Sequence, residues 1–100
     1  IEADLIALLK SKSPAVRAQV IDIFAYLKKD KYRQCFINAL DDRSDEVCRE
    51  AVDALAHYSD TIGNIEQFVA KHHDDPKYKF SVLDAESAII AIHAGRKFSN

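Results

Sequence analysis

Ser13-Pro14-Ala15-Val16-Arg17 returns thirty-one residues later as Ser44-Asp45-Glu46-Val47-Cys48, and after a second equal interval as Asp75-Pro76-Lys77-Tyr78-Lys79. A fixed period within about 20–50 residues is the mark of a solenoid or array. Around the first two copies the agreement widens. Ile6 falls on Ile37, Leu9 on Leu40, Asp22 on Asp53 and Ala25 on Ala56, while Val20, Ile21, Ile23 and Phe24 meet Ala51, Val52, Ala54 and Leu55. Side-chain size varies at these positions; apolar character does not. The third copy is fainter, with Asp84 continuing Asp22 and Asp53, and Ala85 repeating Ala54.

Each period reads as two helices. Leu5, Ile6, Leu8 and Leu9 give a helical face that stops at Ser11-Lys12-Ser13, and Val16, Val20, Ile23, Phe24 and Leu27 then keep the rhythm of a second helix. Ser13, Ser44 and Asp75 are each placed to cap a second helix. Pro14 and Pro76 suit the first helical position, and Asp45 and Glu46 favour the positive end of the helix dipole. Lys28 and Lys29 close the first of these helices, and Gly95 with Arg96 and Lys97 marks the end of the last. The pattern predicts helices over about 2–11, 14–28, 31–41, 45–59, 62–73 and 77–94. In the first period a second apolar stripe, Ala18, Ile21 and Ala25, lies beside the Val16–Leu27 stripe. One hairpin buries only one stripe, so the other requires a neighbouring hairpin, which is why such units stack. The expected architecture is all-α: a right-handed α-α superhelix of three helical hairpins, a single domain over 1–100 with repeats at about 1–30, 31–61 and 62–97.

Composition agrees and excludes alternatives. Two glycines and two prolines in 100 residues are too few for the turns of a strand-rich fold, and 48% hydrophobic residues suffice for a core. Fourteen basic against sixteen acidic residues give a net charge of −2, so there is no long-range basic field to hold nucleic acid. No run of about 18 apolar residues is present to span a bilayer and no signal-peptide-like block precedes the first helix, so the expectation is a cytoplasmic protein without a membrane partner. A start at Ile1 rather than methionine reads as an excised or processed chain, and so speaks to no targeting segment of a parent protein. Cys35 and Cys48 fall in helical segments and read as reduced, buried small hydrophobes.

The stretch Leu5-Ile6-Ala7-Leu8-Leu9, the turn Ser13-Pro14-Ala15-Val16-Arg17 and the apolar run to Leu27 together resemble HEAT repeats, in particular the short variety of phycobilisome lyase-like proteins. The resemblance covers essentially the whole chain. It implies a leucine-rich first helix, a turn of the Asp-x-x-Val-Arg kind and an alanine-rich second helix. Serine stands at 13 and 44 where that family commonly has aspartate; its arginine is kept only as Arg17, with Cys48 and Lys79 in the other two places and Arg49 displaced by one. A continuous aspartate–arginine ladder between repeats is therefore not implied. Tetratricopeptide units, about 34 residues long with a Trp, Gly and Tyr pattern, fit less well. In the third copy Glu86, Ser87 and Lys71 replace apolar residues of the first two, which reads either as a terminal unit with a wetted outer face or as a one-residue slip around Ile62, Ile65, Phe68 and Val69.

No catalytic residue, metal site or cofactor is expected. His72-His73-Asp74-Asp75 is the one cluster with metal-ligand chemistry, but adjacent helical side chains diverge by about 100° and do not share an ion as an i, i+4 pair does. Histidines there suit the negative end of a helix. Neither cysteine lies in a nucleophile elbow, and Gly63 and Gly95 are single glycines that build no phosphate cradle. Exposed carboxylates such as Asp53 are expected to pair locally, for instance with Arg49. Tyr58 and Tyr26 read as interface rings, and His93 as a surface or packing residue.

The column Asp22, Asp53, Asp84 places one carboxylate per repeat at a constant position of the second helix, on its inner face and about 10 Å apart if the hairpins stack. Tyr26 and His57 flank it on one side and Gln19, Glu50 and Ser81 on the other. Two accounts fit: solubility of the inner face, or a concave surface that holds a protein or peptide with lysines or arginines. The second gives the functional expectation, a non-catalytic scaffold binding a protein partner through its second-helix face. The alternative, from the resemblance alone, is a subunit of a bilin lyase-like or other enzyme complex. A DNA-repair scaffold of similar shape needs a basic groove, which the acidic column opposes.

Overall fold

The computed structural model describes the backbone of residues 1–99 and the side chains of residues 1–95. Among these lie α1 (Glu2–Leu8), α2 (Pro14–Leu27), α3 (Arg33–Ala39), α4 (Asp45–Leu55), α5 (Ile62–His72) and α6 (Lys79–Ser99). Each expected helix is present, and no strand occurs among the described residues. Hairpin partners pack as α1 on α2, α3 on α4 and α5 on α6, while the second helices form a row with α4 between α2 and α6. Extents of 41 × 31 × 15 Å suit a two-layer slab, the thin dimension holding helices whose axes lie about 8–10 Å apart. The chain is thus an open stack rather than a closed bundle.

Helix ends depart from the sequence reading in instructive ways. Single 3₁₀ turns at Asp30–Tyr32, Ser59–Thr61 and Pro76–Tyr78 lead into α3, α5 and α6. Ser13 caps α2 as expected, its hydroxyl accepting the Val16 N–H at 3.3 Å with Pro14 at the first position. Ser44 makes no side-chain cap; its own N–H donates instead to Asp42 Oδ1 at 2.9 Å. Asp75 caps the 3₁₀ turn rather than an α-helix, accepting from Lys77 N–H at 3.0 Å. Lys28 closes α2 in the left-handed conformation, at φ 56° and ψ 40°. Gly95 does not end the last helix, which continues to Ser99; the side chains of Arg96 and Lys97, expected to mark that end, lie outside the described residues.

The second apolar stripe is buried as stacking requires. Ala18 and Ile21 of α2 are covered, and Ile21 shares a cleft between the first two hairpins with Val47 of α4 and Ala39 of α3. Phe24, fully buried, stacks on Tyr32 of the next repeat at 4.1 Å between ring centroids and 6° between planes. One core runs through all three hairpins, from Val20 and Phe24 through Phe36, Val52 and Leu55 to Ile65, Phe68, Ala85 and Ile92.

Polar ties cross the same joints. The Arg17 guanidinium donates to both carboxylate oxygens of Asp42 at 2.9 and 3.0 Å and to the Ser11 carbonyl at 2.7 Å. One period later Cys48, in the place of Arg17, directs its Sγ at the Asp42 carbonyl, 3.1 Å away, so the same helix-end carbonyl is met by a weaker donor. The second joint is made differently: Asp45 accepts from the Ser81 N–H at 2.9 Å and from its hydroxyl at 2.6 Å. At the outer layer Glu2 pairs with Lys31, and Arg33 bonds Asp60 at 2.7 Å while lying 4.5 Å over the Tyr58 ring. Tyr58 is partly buried against the core, and its contact with Arg33 lies within the second repeat rather than across a joint.

Candidate functional site

The second-helix row presents its outward turns together. Gln19, Asp22 and Tyr26 of α2 are exposed, as are Arg49 and Asp53 of α4 and His57 just beyond it; Glu50 and Asp84 are half-buried. The expected even spacing of the carboxylates is not what the structure contains. Asp84 acts on the Asp53 carboxyl across the α4–α6 joint, and Glu50 sits within the field of Asp22 across the α2–α4 joint. The four acidic groups form a connected ridge in which Glu50 bridges the gap between the first carboxylate and the other two.

Crowding shows in their ionisation. Desolvation, the nearby Asp84 carboxyl and the charge of Glu50 raise the Asp53 carboxyl to about 7, against the opposing pull of Arg49. Glu50 is raised as well, by desolvation first and by Asp22 second. Arg49 is held by Asp84, Nε to Oδ2 at 3.0 Å, a bond that spans two repeats. The expected local pair of Arg49 with Asp53 is thus replaced. The i, i+4 spacing within α4 permits that pair, but the neighbouring helix offers the better-placed acceptor.

Asp53 gives a pH prediction with a definite sign. The folded chain keeps a proton on this group that the unfolded chain releases near pH 4, so stability is withdrawn as pH rises through about 7. Asp53→Asn, which mimics the protonated form, is expected to raise the urea midpoint over wild type at pH 8 and to leave it unchanged at pH 4. Because Asp53 is solvent-accessible, the gain is modest. Equal differences at the two pH values would remove the shared proton from the account.

Three sequence assignments require correction. Ser81 is fully buried and bonded to Asp45, so it does not belong to the face that Gln19 and Glu50 help form. Tyr26 is not packed at a joint: it is 84% exposed at the outer edge of α2. His72 does not act as a charged helix terminus. It lies between Phe68 and Tyr78, with ring centroids at 4.8 and 3.9 Å, and desolvation together with Lys71 pushes its proton affinity down. His73 turns away to Asp74 at 3.0 Å. Among the described residues no group of three His, Cys, Asp or Glu side chains is placed to hold a metal ion.

Both cysteines are free thiols, and burial holds both thiol forms: Cys35 is raised, and Cys48 is pushed to about 12. Cys48 has no base within its hydrogen bonds, only the carbonyls of Ala39, Leu40 and Asp42. Its part is packing and the closing of α3.

A row of helical hairpins joined through recurrent second-helix contacts, with an outward ridge of charged side chains, defines an α-solenoid of the repeat class. The chain belongs to the HEAT-repeat family: the sequence pattern described as HEAT repeats matches residues 2–78. HEAT repeats are in general scaffolds for protein interaction. No curated protein and no solved structure matches the chain. Among the described residues no helix is long and apolar enough to cross a membrane.

Proposed function

We propose that the chain is a non-catalytic scaffold whose second-helix face holds a protein segment bearing lysine or arginine side chains. The observation that supports this reading is the ridge of Asp22, Glu50, Asp53 and Asp84, crowded enough that two of its carboxyls are raised. Like charges held together cost stability unless a cation relieves them, and groups with displaced proton affinities gather at binding sites more than elsewhere. A bound ammonium or guanidinium between Glu50 and Asp53 would take over the work of the shared proton. Tyr26 and His57 add flat surface at one end of the ridge, and Gln19 adds a hydrogen-bonding group at the other.

The test is charge reversal on exposed positions that carry none of the core. A partner captured by the wild-type chain is expected to lose at least about tenfold in affinity for Asp22→Lys/Asp53→Lys, about 1.4 kcal/mol, while the helical circular dichroism is kept. Binding to wild type is expected to weaken with added salt, as for steered contacts between opposite charges. Undiminished capture by the doubly reversed chain would reject this face.

A further inference from the structure

The groove between α2 and α4 does not end with the acidic ridge. One helical turn beyond Asp22 and Glu50 it opens into a cleft of about 240 Å³, floored by Ala25, Phe36 and Ala54 and rimmed by Lys28, His57 and Tyr58. Both helices stop here, α2 at Leu27 and α4 at Leu55. One period on, the places of Asp30 and His57 are taken by Thr61 and Ala88, both buried, and α6 runs on past them. These positions are thus covered at the second joint and open at the first. Alanine at 25 and 54 keeps the floor low, and Arg33, lying 4.5 Å over the Tyr58 ring and bonded to Asp60 at 2.7 Å, fixes one wall. The cleft is therefore shaped before anything enters it.

Its volume falls below the roughly 300–1,000 Å³ of sites that enclose a whole small molecule, and suits a single side chain. The apolar floor selects an aliphatic one. The C-terminal, partially negative ends of α2 and α4 frame the opening, and Asp30 beside the cleft offsets Lys28, so a cationic segment is favoured here as it is at the ridge. From this continuity we infer that the cleft receives one leucine-sized side chain of the same lysine- or arginine-bearing segment that the acidic ridge holds; the inference rests on that reading of the ridge. An extended segment sets residues i and i+2 on one side about 6.6 Å apart, close to the about 5.4 Å between successive turns of α2 and α4. The expected recognition pattern is a basic residue and a leucine with one residue between them, the alternate side chains supplying specificity.

Nuclear magnetic resonance titration of the 100-residue chain with three acetylated peptides tests this: Ser-Lys-Lys-Ser-Leu-Ser, the same with serine for leucine, and the same with serine for both lysines. The first is expected to bind at least about tenfold more tightly than the second, the order that enclosing one leucine supplies, and to give Overhauser contacts from its leucine methyls to Ala25 and the Tyr58 ring. The second should still shift the amide signals of Asp22 and Glu50. Ala25→Leu, a helix-compatible change at a half-buried position, fills the cleft from its floor. It should bring the first peptide down to the affinity of the second and leave the second unchanged, with helical circular dichroism kept. Equal affinities of the first two peptides for wild type overturn the inference and leave the ridge standing, as does tighter binding of the leucine peptide without contacts to Ala25 or Tyr58. A lysine-free peptide that binds as tightly as the first overturns the ridge reading, while its contacts to Ala25 keep the cleft. Absence of any shift with the first peptide overturns both.

Discussion

Phe24→Ala is expected to lower the stability of the chain by about 3–5 kcal/mol, the usual cost of emptying a fully enclosed aromatic site. Phe24 is at zero exposure and stacks on Tyr32, so the truncation opens a void at the joint between the first two repeats and removes a ring contact in the same step. For a domain of this size each kcal/mol moves the melting temperature by about 4–8 °C. A fall of more than about 12 °C is therefore expected in a thermal melt. Because a stack transmits stability through its joints, loss at the first joint should also raise hydrogen exchange in α1 and α2 ahead of α5. A cost below about 1 kcal/mol would mean that Phe24 does not join the repeats.

Asp42→Ala should be the next most damaging change, at about 2–3 kcal/mol. That is less than a fully enclosed ion pair because 16% of the Asp42 side chain remains accessible. The Arg17 guanidinium would lose both bonds to the carboxylate while staying largely covered, and the Ser44 N–H would lose its acceptor. The joint replacement Arg17→Met/Asp42→Leu should recover most of the loss, since removing both charges leaves neither unpaired. Acid should act like the single variant. Desolvation raises Asp42, but the Arg17 bond, the Ser44 N–H and the charges of Arg17 and Arg43 outweigh it, and the folded carboxyl ends lower than its ordinary value. Its contribution is complete above about pH 4 and is lost as pH falls through that lowered value. Denaturant midpoints of wild type and Arg17→Met/Asp42→Leu should accordingly converge or cross below pH 4. An acid limb identical in both would assign the acid sensitivity elsewhere.

The stacking was legible because it is a matter of period. Ile21 and Ala18 lie off the stripe that a lone hairpin buries, and that single fact predicts a neighbour. The joints themselves were not legible. Arg17 lacks the aspartate of its family's turn at position 13, yet Asp42, two residues before the second turn, supplies the carboxylate, and only the packing of α2 against the α3–α4 connection puts it in reach. Ser81 and Gln19 share a periodic position, but the N–H and hydroxyl of Ser81 meet Asp45 and the side chain is drawn into the joint. The acidic column was visible as a spacing; its contraction into an Asp53–Asp84 pair, with Arg49 turned to Asp84, depends on distances between helices that no one-dimensional pattern carries. Gly95 misled as an end signal because a glycine inside a helix costs only about 1 kcal/mol, which the packing of Ala88 and Ile92 on the same helix offsets.

The arrangement of the second helices as a row is tested most directly by methyl nuclear Overhauser contacts in the 100-residue chain. Cross-peaks are expected between Ile21 of α2 and Val47 of α4, and none linking Val20 or Ile21 of α2 to Val82 or Ile92 of α6. Strong contacts from α2 to α6 would describe a closed bundle, and with it neither the acidic ridge nor the cleft beside it would stand.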